Sequence, residues 1–269
     1  MTHDSAARPL SHPDQVRAAV RDRYAKASAG GDCSTANPSC CGPSPDAAAV
    51  ARALGYADGA TTAVPEGSNL GLGCGNPTGL ASLRPGETVL DLGSGAGFDA
   101  FLAARAVGPT GRVLGVDMTP EMLTKARGNL ARSEARNIEF RLGEIEHLPV
   151  ADASVDVVIS NCVVNLSPDK PQVFAEMFRV LKPGGRVAIS DIVALRALPA
   201  AVRADVALYT GCIAGAATVA ELERMLVAAG FADVRIEPKS ALQGVVDGWA
   251  PGQGLSGHVA SASIEARKP

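Results

Sequence analysis

The fold is indicated by one stretch of the chain, Thr88-Val89-Leu90-Asp91-Leu92-Gly93-Ser94-Gly95-Ala96-Gly97-Phe98, in which a short apolar strand runs into a glycine-rich turn. A helix-like pattern follows over residues 98–107. Glycines at such a turn let the backbone bend tightly and approach a ligand at the helix N-terminus. The dinucleotide fingerprint Gly-x-Gly-x-x-Gly needs a third glycine where this sequence has Phe98. The stretch therefore predicts a nucleotide-type site that departs from the NAD pattern.

The segments around this turn alternate between strand-like and helix-like patterns. Short, continuously apolar strands separated by amphipathic helices imply a parallel sheet that is covered on both faces. The sequence thus predicts an α/β fold with a doubly wound, Rossmann-like sheet. The predicted helices are 14–28, 46–54, 98–107, 120–133, 171–181, 199–210 and 219–229, and the predicted strands are 88–92, 112–117, 138–141, 155–160, 186–191, 234–237 and 259–264.

Three regions are expected along the chain. Residues 1–77 form an N-terminal extension of helices and loops, and residues 78–195 form the ligand-binding core. Residues 196–269 form a small C-terminal α/β region that covers the substrate and completes the sheet. The extension carries four of the six cysteines: Cys33, Cys40, Cys41 and Cys74.

Composition excludes several classes of protein. The 269 residues carry a formal net charge of −3, which gives no electrostatic footprint for nucleic acid. Apolar residues make up 46% of the chain, enough for a sizeable core, but no uninterrupted apolar run is long enough to cross a membrane. The first residues lack the basic and apolar regions of a secretory signal. We expect a monomeric cytoplasmic protein that binds neither nucleic acid nor membranes.

Acidic residues lie at two successive strands. Asp91 belongs to the first strand and Asp117 ends the second, where an acid suits the two hydroxyls of a ribose. Together with the glycine-rich turn and the turn at 181–185, they resemble the class I S-adenosylmethionine (SAM) methyltransferases. The resemblance implies SAM as methyl donor, bound by Asp91, Gly93, Ser94, Gly95, Gly97, Asp117, Met118, Thr119, Glu144, Ile145 and Asn161.

Three cysteines lie where a methyl acceptor is expected. Ligands of open α/β sheets bind beyond the carboxyl ends of the strands, and Cys162 directly follows the fourth strand. Cys212 lies in the insertion after the fifth strand, which commonly roofs the acceptor pocket in this fold. Cys74 lies between glycines just before the core. Because thiolates select soft, thiophilic ions, these cysteines indicate a thiophilic atom as the methyl acceptor.

The sequence resembles one family in particular, the arsenite (As(III)) SAM methyltransferases of the ArsM type. The resemblance runs from about Glu66 to Glu237, and its diagnostic motifs stand at 72–77, 91–95, 115–120, 143–146, 160–163 and 211–215. It implies that Cys74, Cys162 and Cys212 are catalytic residues that hold As(III). The substrates are then arsenite and methylarsenite, methylated for arsenic detoxification.

The resemblance also implies a redox role for cysteines. Methylation formally oxidises arsenic, and enzyme thiols return it to trivalency by forming a disulfide between Cys74 and an N-terminal cysteine. We favour Cys41 over Cys40 as that partner, with Cys33 as a bystander. An external thiol reductant, thioredoxin or glutathione, then reduces the disulfide by thiol–disulfide exchange.

Two other functions are weighed against this one. A SAM methyltransferase of a small quinone- or lipid-like acceptor has much the same core, but it predicts an aromatic-lined, cysteine-poor pocket. This chain is only 4% aromatic and has three well-placed thiols. A non-enzymatic arsenic or metal sensor predicts no SAM motifs and a basic DNA-reading helix, which we do not find in the sequence.

Overall fold

The computed structural model describes residues 12–29, 47–240, 255 and 257–269. The helices are α1 (Pro13–Ser28), α2 (Ala47–Ala53), α3 (Pro77–Ala81), α4 (Phe98–Val107), α5 (Pro120–Ala131), α6 (Lys170–Val180), α7 (Ala200–Ala204), α8 (Val206–Thr210) and α9 (Val219–Ala228). The strands are β1 (Thr88–Leu92), β2 (Arg112–Asp117), β3 (Ile138–Leu142), β4 (Val155–Asn161), β5 (Leu181–Ala194), β6 (Ala232–Pro238) and β7 (Val259–Arg267).

These strands form one seven-stranded sheet in the order β3-β2-β1-β4-β5-β7-β6. Strand β1 pairs in parallel with β2 on one side and with β4 on the other. The chain proceeds outward from β1 to β3 and then crosses back to β4. The order of strands therefore reverses between β1 and β4, and ligands of open α/β sheets bind at this switch point.

The last two strands differ from the parallel sheet that the sequence predicts. Strand β7 lies between β5 and β6 and pairs antiparallel with both. An apolar strand pattern reports burial but not direction, because only the pairing partner fixes which way a strand runs. The C-terminal strands thus complete the same sheet that carries the glycine-rich turn.

The helix predicted over 199–210 is two short helices. Asp205 ends α7 and begins α8, and its side chain accepts a hydrogen bond from the backbone N–H of Leu208. An aspartate that caps a backbone N–H competes with continuation of the preceding helix. The break gives α8 its own direction, and Cys212 follows directly after it.

The core lies between the sheet and the helices on its faces. Helix α6 is typical, because its apolar residues recur at helical spacing and Val173, Phe174, Met177 and Val180 are fully buried. Burial of each such side chain stabilises the fold by about 1.5–3 kcal/mol. Among the helices of the described residues, none is both long and apolar enough to span a bilayer.

Candidate active site

A cavity of about 1030 Å³, including its open mouth, lies at the carboxyl ends of β1, β2 and β4. Most of the residues expected to bind the cofactor line it: Asp91, Gly93, Ser94, Gly95, Asp117, Met118, Thr119, Ile145 and Asn161. Gly97 and Glu144 are not among the described lining residues. Gly97 instead precedes α4 as its N-cap, with a φ of 98°.

Both the backbone conformation and the limited space around it require glycine at the first position of the turn. Gly93 has a φ of 67°, and a Cβ atom there would lie 2.4 Å from a methyl carbon of Val163. Its N–H donates to the carbonyl of Val116 at 2.7 Å, which fastens the turn to β2. Any side chain at this position would push β1 away from the segment that carries Cys162.

Asp117 connects two sides of the cavity. One carboxylate oxygen accepts a hydrogen bond from the N–H of Gly95 at 2.9 Å, and the other accepts from the N–H of Thr119 at 2.8 Å. Burial raises the pKa of Asp117, while these backbone donors lower it. The Thr119 side chain also hydrogen-bonds this carboxylate. The carboxylate is thus fixed in place, and because it can accept about four hydrogen bonds it keeps capacity for a ligand hydroxyl.

Two more carboxyl groups, those of Asp91 and Asp99, line the cavity. Burial raises the pKa of Asp91, and the neighbouring charges of Asp99 and Asp117 raise it further. The Oδ2 atom of Asp91 and the hydroxyl of Ser94 are buried without a hydrogen-bond partner among the described residues. Buried polar atoms are normally paired. This donor and acceptor set therefore fits SAM, whose ammonium and sulfonium charges complement the carboxylates.

Helix α1 covers the cavity, a feature that the sequence did not indicate. Arg17 lines the cavity and forms ion pairs with Glu144 at 3.4 Å and with Glu146 at 3.3 Å. Glu146 lines the cavity, whereas Glu144 also pairs with Arg21. The acidic loop after β3 therefore holds α1 in place through Glu144 and contributes Glu146 to the cavity wall.

Three cysteines come together beside this cavity. Cys162 lines it, and its sulfur is bonded to that of Cys74, with 5.8 Å between their Cα atoms. The Cys212 thiol donates a hydrogen bond to the Cys162 carbonyl oxygen at 2.8 Å. All three side chains are buried, and burial raises the pKa of Cys212 well above its ordinary value.

Two of these cysteines have a strained backbone. Cys162 has a φ of 57° and Cys212 a φ of 65°, in the left-handed region that favours glycine. Non-glycine residues in this region cluster at functional sites, where the surrounding structure holds them. The Cys162 N–H donates to the carbonyl of Ser190 at 2.8 Å, and the Cys212 N–H donates to that of Tyr209 at 3.0 Å. These bonds hold the two thiol-bearing residues in place.

A buried carboxylate completes the sulfur cluster. The sulfur atoms of Cys74 and Cys162 and one carboxylate oxygen of Asp191 lie within 4.8 Å of one another. Burial raises the pKa of Asp191 to about 6, and hydrogen bonds from Ile192 and Asn165 oppose that rise. The sequence placed Asp191 at the end of a strand without predicting this neighbourhood.

The structure does not test the redox partner predicted for Cys74. Cys33, Cys40 and Cys41 lie outside the described residues, so the proposed pairing of Cys41 with Cys74 stays a prediction. The structure joins Cys74 to Cys162 instead. That bond became possible because the segment before α3 packs against the end of β4, which the order of segments along the chain does not reveal.

Comparisons with known proteins agree with this geometry. A family model described as a methyltransferase domain matches residues 83–230. An arsenite methyltransferase from Halobacterium salinarum is 53% identical over 96% of this chain and 68% of its own length. One from Aquipseudomonas alcaligenes is 45% identical over 64% of this chain and 51% of its own length. This chain thus spans about two thirds of the first relative and about half of the second.

A solved structure adds to this evidence. The crystal structure of an arsenic(III) SAM methyltransferase from Chlamydomonas reinhardtii matches with a TM-score of 0.60 and 36% identity, over 81% of this chain and 72% of that one. The fold and the matching family model define a SAM-dependent methyltransferase, which confirms the predicted fold class. Within this class, the chain belongs to the arsenite methyltransferase family.

Proposed function

We propose that the protein transfers methyl groups from SAM to trivalent arsenic held by Cys74, Cys162 and Cys212, as a step in arsenic detoxification. One observation carries this proposal. Three cysteines, separated by 88 and 50 positions in sequence, meet beside the cofactor cavity, and Cys162 lines its wall. A quinone- or lipid-like acceptor gives no reason for three sulfur atoms at this place.

The residues around the cavity are suited to hold the methyl donor. Asp117 is positioned for the ribose hydroxyls, while Asp91 and Ser94 offer unpaired polar atoms to the charged end of the cofactor. The methyl donor supplies an electrophilic methyl group from its sulfonium. The protein contributes mainly by positioning, because fixing the two reactants replaces a bimolecular encounter.

The sulfur ligands explain why no base is needed for methyl transfer. Three soft donors leave As(III) pyramidal, and its remaining lone pair is the nucleophile. This lone pair carries no proton, so the transfer step requires no proton acceptor. None of the described residues lining the cavity is a histidine, which agrees with that chemistry.

We extend the proposal to the return of arsenic to its trivalent state. Two thiolates give up two electrons and form a disulfide, and arsenic accepts those electrons. The Cys74–Cys162 bond supports this step, since it joins two cysteines of the sulfur cluster. An external thiol reductant, thioredoxin or glutathione, then regenerates the thiols. We place the protein in the cytoplasm, where such reductants operate.

The proposed enzyme acts as a monomer. Light scattering at assay concentration measures the state directly.

The activity is tested by incubating purified protein with SAM, arsenite and a thiol reductant, followed by speciation of arsenic. We expect methylated arsenic and an equivalent amount of S-adenosylhomocysteine. A demethylated quinone offered in place of arsenite should remain unmethylated. Transfer to the quinone with unchanged arsenite would replace this proposal by the quinone alternative.

The substitution Cys74→Ser is expected to separate two substrates. Inorganic arsenite can exchange three oxygens for sulfur, whereas methylarsenite can exchange only two. We expect loss of arsenite methylation by about 100-fold, with methylarsenite turnover largely kept by Cys162 and Cys212. Initial rates measured with each substrate after full reduction provide the comparison. An equal loss on both substrates would remove Cys74 as the third ligand.

A further inference from the structure

A buried hydrogen-bond network connects Cys74 to the cofactor cavity. It consists of Tyr56, Asp99 and Asn161, and we call it the Tyr56 network. The Tyr56 hydroxyl donates to Asp99 Oδ1 at 2.7 Å. The side-chain amide of Asn161 donates to the Tyr56 oxygen at 3.0 Å and to Asp99 Oδ2 at 3.1 Å. All three groups therefore hold one another in a single arrangement.

Asn161 fastens the backbone on both sides of the Cys74 side chain. Its carbonyl oxygen accepts a hydrogen bond from the Cys74 N–H at 2.9 Å. Its amide nitrogen also lies 3.0 Å from the carbonyl oxygen of Gly75, so its two N–H groups are shared among three acceptors. Asn161 directly precedes Cys162 in the chain. One side chain thus connects the backbone segments of two of the three cysteines.

The orientation of the Asn161 amide is set by the network. An asparagine amide has two N–H donors and one carbonyl acceptor, and it can be rotated to exchange them. Tyr56 gives its only proton to Asp99, so the tyrosine oxygen must accept from Asn161. If the amide were rotated, its oxygen would face the lone pair of the tyrosine oxygen and the Asp99 carboxylate. These are all acceptors, so the contacts would be repulsive. The tyrosine hydroxyl, together with the Asp99 carboxylate and the Gly75 carbonyl, therefore keeps the Asn161 carbonyl directed at the Cys74 N–H.

Space around Cys74 is also restricted. A Cβ atom on Gly73 would lie 2.9 Å from the Asn161 amide nitrogen, and one on Gly75 would lie 2.7 Å from the Ser190 hydroxyl. The Cys74 carbonyl accepts a hydrogen bond from the Ser261 hydroxyl at 2.6 Å. The segment therefore packs closely against β4, β5 and β7, and these polar bonds add to the apolar contacts that bury Cys74.

We propose that Tyr56 is a positioning residue for Cys74 and that, through Asn161, it determines whether the enzyme accepts inorganic arsenite in addition to methylarsenite. This inference rests on the proposed function, in which Cys74 is the third sulfur ligand of inorganic arsenite. Each As–S bond forms as a hydroxide leaves arsenic and takes the thiol proton as water. Methylarsenite has only two such hydroxides, so it reacts without Cys74 and does not need the network.

The test is Tyr56→Phe, which removes the hydroxyl and keeps the ring that packs against Phe98, 4.9 Å between centroids. After reduction of the Cys74–Cys162 bond, rates are measured at saturating SAM with each arsenical. We expect kcat/KM to fall about tenfold with arsenite and to change less than about twofold with methylarsenite, as for loss of one buried hydrogen bond. Tyr56 contacts Asn161, which lines the cofactor cavity, so saturating SAM is used to keep any change in SAM affinity out of the comparison.

Two further variants accompany this test, one as a second disturbance of Cys74 and one as a control. Ser261→Ala loosens Cys74 from the β7 side and is expected to produce the same selective loss. Ser154→Ala, at the opposite end of β4, removes an exposed hydrogen bond to the Ala151 carbonyl and should affect neither substrate. Thermal unfolding of each variant establishes that it is folded at the assay temperature.

The outcomes separate the inference from the proposed function. A selective loss with arsenite in both Tyr56→Phe and Ser261→Ala supports the inference. Equal losses on both arsenicals, or no loss on either, overturn it while leaving the proposed function in place. A wild-type enzyme that methylates neither arsenical overturns the proposed function and this inference together.

Discussion

Replacement of Cys162 or Cys212 by serine is expected to lower arsenite methylation by about 1000-fold or more, because arsenic loses the sulfur ligand that positions it at the methyl donor. A serine hydroxyl is a hard, protonated oxygen and does not replace a thiolate toward a soft centre. Arsenic speciation after a fixed incubation measures the loss. Calorimetric titration with SAM should give an affinity close to that of the wild type.

Cys33→Ser serves as the matched control for this experiment. Cys33 has no role in the proposed mechanism, and the same sulfur-to-oxygen change there should leave methylation unaltered. Full turnover by either Cys162→Ser or Cys212→Ser would contradict the assignment of arsenic ligands, whatever the control shows.

Replacement of Asp117 by alanine is expected to weaken SAM binding by about 100-fold. Two hydrogen bonds from ribose hydroxyls to a carboxylate contribute about 3 kcal/mol, and every 1.4 kcal/mol is a factor of ten in Kd. The Gly95 and Thr119 N–H groups also lose their acceptor, which loosens the turn that contacts the cofactor. Isothermal titration with SAM and with S-adenosylhomocysteine provides the measurement.

Two other aspartate variants accompany this prediction. Asp117→Asn keeps one acceptor oxygen and should give an intermediate loss. Asp152→Ala removes an exposed carboxylate that pairs with Arg179 far from the cavity, and it should bind SAM normally. An affinity of Asp117→Ala within about threefold of the wild type would show that the ribose is held elsewhere.

Much of the fold could be predicted because its signals are local. The glycine-rich turn and the apolar strands encode the first five parallel strands, and the structure confirms them. The direction of β7 was not predictable in the same way, since its residues are almost continuously buried and would be so whichever way the strand ran. The break at Asp205 depends on one side chain that can cap a helix or continue it.

The site residues that could be predicted from the sequence are those at or just after the end of a strand. Asp117 and Cys162 stand at strand ends, and parallel strands bring such ends to one edge of the sheet. The contribution of Arg17 was not predictable, because the helix pattern of α1 does not say what the helix covers. Glu144 and Glu146 are two positions apart, and the path of the loop decides which of them faces the cavity.

The Tyr56 network could not be predicted from the sequence. Tyr56, Asp99 and Asn161 are separated by 43 and 62 positions, and no motif spacing connects them. Their association depends on packing of the segment after α2 against α4 and β4. Only a three-dimensional structure brings these polar groups together and shows that each satisfies another.

The left-handed backbone at Cys162 and Cys212 has a consequence for engineering. A side chain in this conformation costs of order 1 kcal/mol, so glycine at either position would relieve local strain. A design procedure that scores backbone conformation alone would select these two sites early. It would relax the backbone, but it would also empty two buried side-chain positions and remove the chemistry, because the strained residues are the reactive ones.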